Sequence, residues 1–237
     1  MNLYFLVEGN RTEKKLYPQW LEYLIPALKR VKYHDLVVQN NYYLSSGGGY
    51  PGILDDALEN AIDKIQEVRN YDYLVICVDA DEDTVEERLD YIQTFMGEKK
   101  LNLGNTELKL IIQNRCIETW LLGNKNIFSK QPNQRPLLDY VRYYDVSQHD
   151  PELMGDYGMR NHADFHFKYL QEVFRAKQIS YTKRNPGDAG KQYYLEELLK
   201  RISSNPTHLP TFQSFVEFCK AIAKRLYRHP SGLSMLY

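Results

Sequence analysis

Leu3-Tyr4-Phe5-Leu6-Val7-Glu8-Gly9, followed closely by Thr12-Glu13, decides how this chain folds. A short apolar run ends on a carboxylate and then a glycine, and a helical pattern starts within a few residues. This predicts a strand over residues 2–7 with Glu8 at its carboxyl edge, where open α/β sheets keep their ligands. A second apolar run, Tyr73-Leu74-Val75-Ile76-Cys77-Val78, ends the same way on Asp79-Ala80-Asp81. It lacks polar alternation, as expected of a strand covered on both faces. Two buried strands that each deliver acid at one sheet edge predict a divalent-cation site.

Working outward, Leu16, Trp20, Leu24 and Leu28 recur at four-residue spacing beside Leu21 and Ile25, which makes one apolar helix face. Thr12 is its candidate N-cap. Pro18 and Pro26 predict a kink or two short segments. A second strand is expected over residues 36–39. Ser45-Ser46-Gly47-Gly48-Gly49-Tyr50-Pro51-Gly52 reads as a flexible connector. It lacks the Lys-Ser/Thr ending of a nucleotide-binding P-loop. Leu54, Leu58, Ala61, Ile65 and Val68 mark a second helix, and Val85, Leu89, Ile92 and Met96 a third. A further strand over 108–112 and a short helix over 116–122, stopped by Gly123, complete an alternation typical of a parallel sheet. Beyond Gly123, residues 124–136 read as loop, and 161–177, 193–202 and 211–227 as helices. The expected organisation is a catalytic α/β domain over 1–123 and a helical, basic extension over 124–237 that can pack on the same core.

An apolar fraction of 43% in 237 residues supports such a core. The formal net charge of −1 hides an asymmetry. Residues 1–157 carry 17 Lys/Arg against 25 Asp/Glu, and residues 158–237 carry 13 against 6. Cation ligands in the first part and phosphate contacts in the second fit that split, as does ordinary surface variation. Cys77, Cys116 and Cys219 are too few and too scattered for a disulfide frame or a thiolate zinc site. No apolar run is long enough for a membrane span, and no leader pattern precedes the first strand. A reducing cytoplasm is the default expectation.

Asp79 and Asp81 alternate, so in extended backbone they point the same way and can hold hard cations through oxygen. Glu8 joins them if the two strands are neighbours. Two metals a few ångström apart are a standard apparatus for phosphodiester cleavage. Asp83-Thr84-Val85-Glu86 has capping-box spacing, which assigns Asp83 to a helix start rather than to ligation. Glu13 is either a metal ligand or an acid favoured by a helix N-terminus, and Glu82 is expected to face solvent.

These residues resemble the signature of a Toprim domain: a strand ending in Glu8-Gly9 and a later strand ending in Asp79-Ala80-Asp81. Val7-Glu8-Gly9-Asn10-Arg11-Thr12-Glu13 is similar to the Glu-Gly-x-x-Thr-Glu opening of the OLD and RloB-like nuclease branch. Cys116-Ile117-Glu118-Thr119-Trp120-Leu121-Leu122 resembles its Pro-Cys-Phe-Glu-x-Trp-Leu-Leu block, with Arg115 in place of proline and Ile117 in place of the aromatic. The likeness covers residues 1–123 and fades in the tail. It implies that Glu118 is a further ligand or general base, and that Trp120 and Leu121 are core residues. It also implies a later lysine that stabilises charge on the scissile phosphate, for which Lys183 and Lys191 are the candidates.

The expected activity is therefore Mg²⁺- or Mn²⁺-dependent endonucleolytic hydrolysis of nucleic-acid phosphodiesters, DNA or RNA. Glu8, Asp79 and Asp81 are the ligands, Glu118 and Glu13 assist, and Lys183 or Lys191 neutralises charge. The resemblance further implies an effector of bacterial anti-phage defence beside a separate ABC-type ATPase, since the chain has no Walker A motif. A non-catalytic Toprim-like binding or regulatory subunit is the alternative. Oligomeric state stays open, a homo-oligomer included. His162 and His166 stand four apart as zinc pairs often do, but in an ordinary amphipathic pattern. Asp139-Tyr140-Val141-Arg142-Tyr143-Tyr144 mixes aromatic and basic groups as base-stacking surfaces do, but packing against the sheet is the simpler expectation. Lys220, Lys224, Arg225 and Arg228 share a helical face that suits a phosphate backbone or an acidic partner.

Overall fold

Five strands lie parallel in one sheet: β1 (Asn2–Val7), β2 (Lys29–Arg30), β3 (Asn41–Ser46), β4 (Tyr73–Asp79) and β5 (Glu107–Gln113), ordered β2-β3-β1-β4-β5. The computed structural model describes residues 1–128, 132, 134–179 and 181–228. The helices are α1 (Glu13–Leu24), α2 (Leu58–Val68), α3 (Val85–Glu98), α4 (Ile117–Leu121), α5 (Leu137–Tyr143), α6 (His162–Ala176), α7 (Gln192–Ser204) and α8 (Pro210–Arg228). The class is α/β, with an all-parallel sheet flanked by helices and a helical C-terminal part. No described helix is long and apolar enough to cross a membrane.

Alternation along β1 and β4 sorts side chains to two faces. Leu3, Phe5, Val7, Val75 and Cys77 join α1 and the C-terminal helices in one buried cluster. Tyr4, Leu6, Leu74, Ile76 and Val78 join α2 and α3 in the other. β1 is buried throughout and β4 up to Val78, which explains their unbroken apolar runs. The register sets Val7 beside Cys77 and Ser46, and Asp79 beside Gln113. Glu8 and Asp79 therefore emerge together at the carboxyl edge.

The strand expected over residues 36–39 is not formed there: β2 precedes that stretch and β3 follows it. Residues 34–36 form a 3₁₀ turn that leaves Leu36 51% exposed, and Val38 is 77% exposed. Asn41 Oδ1 accepts from the Val38 and Gln39 N–H groups, at 2.8 and 3.2 Å, and closes the turn. Strand pairing then begins at Asn41, whose N–H donates to Asn2 Oδ1 at 3.0 Å. Tyr42 and Leu44 alternate inward, and Ser45 and Ser46 are strand residues rather than loop.

α1 is one helix that includes Pro18, and Pro26 follows its end. Thr12 has helical backbone angles and makes no side-chain cap. The capping box before α3 belongs to Thr84 and Glu87, one residue beyond the Asp83–Glu86 spacing. Thr84 is the extended residue, and its Oγ1 accepts from the Glu87 N–H at 3.1 Å. Gly123 answers to packing: a Cβ there would press on Leu209, Leu198 and the Trp120 carbonyl. Three of the C-terminal helices, α6, α7 and α8, match the sequence pattern, and α5 adds a short one. Within the 124–136 loop, residues 129–131 and 133 lie outside the described residues.

Candidate functional site

Glu8 follows β1, and its N–H continues the ladder to Cys77 O at 2.9 Å. Both carboxylate oxygens are engaged: Oε1 accepts from Tyr50 N–H at 3.3 Å and Oε2 from Asp79 N–H at 3.0 Å. The glycine-rich segment wraps this acid. Gly47 N–H donates to Val7 O at 2.8 Å, and Gly49 N–H to Glu8 O at 3.0 Å. What composition presents as a flexible connector is a wall of the site. Its turn needs glycine at 48 and 49, where φ is 81° and 112°.

Asp79 ends β4, and its Oδ1 is buried with no hydrogen-bond partner among the described residues. Glu118 lies buried in the first turn of α4, and its Oε1 accepts from the Tyr181 hydroxyl at 2.9 Å. Glu13 opens α1 and is also buried. Gly9 makes room for it, because a Cβ at that position would collide with the Glu13 carboxylate. Lys183 arrives from the tail on a turn fastened to α1. Thr12 Oγ1 donates to Lys183 O at 3.0 Å, and Lys15 Nζ donates to Arg184 O at 2.5 Å. Glu8, Glu13, Asp79, Glu118 and Lys183 together line a cleft of about 390 Å³. A larger cleft of about 710 Å³, between α3, β5 and the start of α8, contains none of them.

Two sequence candidates fall outside this cleft. Asp81 leaves the strand geometry at a left-handed φ of 52°, so its alternation with Asp79 is lost. Its Oδ2 lies 3.7 Å from Arg88 Nη2, and Asp83 Oδ2 lies 3.1 Å from the same nitrogen. Lys191 is exposed and ion-paired to Asp188 at 2.5 Å. Glu82 is not simply solvated: it meets His162 Nδ1 at 2.7 Å. His166 is a core residue, bonded to Thr119 Oγ1 at 2.7 Å and facing Met154 O at 3.3 Å. Tyr140 packs against Phe165 and Tyr169, while Tyr143 packs against Tyr157 and Phe165. Lys220, Lys224 and Arg225 are exposed, and the Arg228 side chain lies outside the described residues.

Sequence reasoning missed three supporting residues. Tyr50 supplies a backbone N–H that no side-chain pattern announces. Tyr181 stands two residues before Lys183 and belongs to no motif of its own. Arg88 did leave a signal: it stands four residues before Ile92 and eight before Met96 on the buried stripe of α3. Its guanidinium donates to Ala80 O at 3.0 Å and stacks on the Tyr50 ring at 3.8 Å, bridging the loop after β4 and the glycine-rich wall.

The electrostatics follow from burying like charges together. Burial, then Glu8, Glu13 and Glu118, holds the Asp79 carboxyl well above the usual range. Burial, opposed by its own helix N–H and aided by Glu118 and Glu8, lifts Glu13 to about 7. Burial raises Glu8 as well. Burial depresses the Lys183 ammonium, but the carboxylates, Glu118 foremost, outweigh it and hold the lysine above its usual value. Four carboxylates against Lys183 and the exposed Arg11 leave the cleft with a deficit of positive charge. All-oxygen donors of this kind suit Mg²⁺, Mn²⁺ or Ca²⁺, and the unpartnered Asp79 Oδ1 fits that chemistry. As the side chains stand, no group of three or more His, Cys, Asp or Glu among the described residues is arranged to hold an ion. No family model, no curated protein and no solved structure matches this chain.

Proposed function

We propose that this protein is a metal-dependent nuclease that hydrolyses nucleic-acid phosphodiesters, of the Toprim kind found in the OLD and RloB-like branch. One observation carries the proposal: Glu8, Glu13, Asp79 and Glu118 line one cleft with Lys183 at the carboxyl edge of a parallel sheet, and Asp79 Oδ1 is buried there with no hydrogen-bond partner among the described residues. Glu8, Asp79 and Glu118 would hold Mg²⁺ or Mn²⁺, with Glu13 beside them. Bound there, the cation supplies Lewis acidity toward a phosphate oxygen and an acidified water. The backbone N–H groups of Tyr50 and Asp79 keep Glu8 oriented. The Lys183 ammonium is the group that meets the extra charge of the phosphate in the transition state. Asp81 serves with Arg88 at the rim, and Lys191 is set aside. A role in anti-phage defence, with an ABC-type ATPase partner in the cytoplasm, rests on the sequence resemblance.

Calorimetric titration with Mn²⁺ and cleavage of DNA and RNA in Mg²⁺ or Mn²⁺ test this. Wild-type protein is expected to bind and cleave, and Asp79→Ala to do neither. Equal cleavage by Asp79→Ala overturns the site. Mn²⁺ binding without cleavage, even with an ATPase partner supplied, favours the non-catalytic regulatory subunit.

A further inference from the structure

The tail contributes more to the acidic cleft than a lysine. Tyr181 is 7% exposed, and its ring packs edge-on against Phe174 at 5.3 Å and near Phe167 at 6.3 Å, both on α6. Its hydroxyl donates to Glu118 Oε1 at 2.9 Å. The following residues are pinned from the other side, by Thr12 Oγ1 on Lys183 O and by Lys15 Nζ on Arg184 O. A bridge between Thr182 and Asn185 closes the turn. The hydroxyl is thus fixed by α6 behind it and by the start of α1 beside it.

We infer that Tyr181 is a positioning residue that holds the Glu118 carboxylate in the cleft for a divalent cation. The inference rests on the metal-dependent reading above. A neutral O–H donor orients a carboxylate without cancelling its charge, so the acid keeps its full value as a ligand. Groups behind a ligand commonly set cation affinity through that orientation, at 10–100-fold on removal. Glu118 needs such a partner because α4 is five residues long and its side chain is buried among other acids. Lys183 does not take this role: its ammonium lies over the Phe167 ring at 5.0 Å and acts on Glu118, Asp79 and Glu13 only through its field.

The test is a double-mutant cycle read by Mn²⁺ calorimetry on the full chain. Tyr181→Phe removes only the hydroxyl and leaves the ring in its aromatic pocket. It is expected to weaken Mn²⁺ binding by about 10-fold. In a Glu118→Ala background the same substitution is expected to change affinity less than 2-fold, because the oxygen it serves is gone. Unchanged Mn²⁺ affinity in Tyr181→Phe overturns the inference while leaving the site intact. An equal loss in both backgrounds also overturns it, because the hydroxyl then acts on the fold and not through Glu118. If wild-type protein binds no Mn²⁺, the nuclease reading fails first, and this inference with it.

Discussion

Glu13 and Gly9 show what a single residue decides at this cleft. The Glu13 carboxylate occupies the space that any side chain at position 9 would need. Gly9→Ala would not strain the backbone, because no left-handed φ is required there. The new methyl meets the far end of a flexible side chain, so the carboxylate gives way. Unfolding stability should change by less than about 1 kcal/mol, as for most substitutions that cause no cavity or buried unpaired group. Mn²⁺ affinity should fall, because one carboxylate has left the cleft. Chemical denaturation and calorimetry on the same preparation check both halves; a stable variant with wild-type affinity removes Glu13 from the site. At this scale, the places of Glu8 and Asp79 were legible because a strand end is written locally, whereas Glu13 stayed open between ligand and helix-start acid and Glu118 came only from the resemblance. The fate of Asp81 was not, because one left-handed residue turned its side chain toward an arginine supplied by α3. Lys183 could not be separated from Lys191 without the turn that fastens it to Thr12.

Among the elements, α4 carries the greatest demand, since five residues must present Glu118 accurately. A hydrogen-bonded chain steadies it: Cys116 N–H to Thr119 Oγ1 at 3.4 Å, the Thr119 hydroxyl to His166 Nδ1 at 2.7 Å, and His166 Nε2 to Met154 O at 3.3 Å. That order requires a neutral imidazole with its proton on Nε2. Burial, with His162 adding to it, lowers His166 to about 4. A folded pKa below the ordinary 6.5 means that the unfolded chain binds the proton more readily. The contribution of His166 is therefore complete above pH 6.5 and is lost as pH falls toward 4, by about 3 kcal/mol at 1.36 kcal/mol per unit. His166→Asn should lack that slope, so the stability gap between wild type and variant should close by roughly this amount from pH 7 to pH 4 in urea titrations. A constant gap would show that His166 is not the titrating group. The elements themselves were readable where local periodicity matched burial, as in β1, β4 and α6. They were misread where a long-range partner decided, as at β3, whose start is set by Asn2 on another strand, and at the glycine-rich wall, whose order comes from Glu8.

At the scale of the molecule, the boundary drawn near residue 123 runs through a single hydrophobic cluster. Trp20 of α1 and Trp120 of α4 pack with each other and with Phe212 and Phe215 of α8, at centroid distances of 5.4 to 6.4 Å. Tyr17 meets Phe215 at 5.4 Å, and its hydroxyl takes the Gln113 side chain at 2.6 Å at the end of β5. The Trp120 indole donates to Thr211 Oγ1 at 2.7 Å, and Glu152 accepts from the same threonine at 2.7 Å. The aromatic centre therefore belongs equally to the sheet and to the tail, so neither can lose it alone. Removing the tail would leave the face of the sheet that carries Leu3, Phe5 and Val7 with α1 and α4 as its remaining helical cover. The two parts should unfold in one step despite their different charge and texture. Because the chain has two tryptophans and both sit in this centre, their fluorescence reports the junction while far-ultraviolet circular dichroism reports all helices. The two signals should superimpose through a guanidinium titration. Phe215→Ala should move both together by about 3–5 kcal/mol, the usual cost of emptying a buried aromatic site. Fluorescence and dichroism that separate in the variant, with the sheet surviving the loss of α8, would mark an independent domain ending near residue 123.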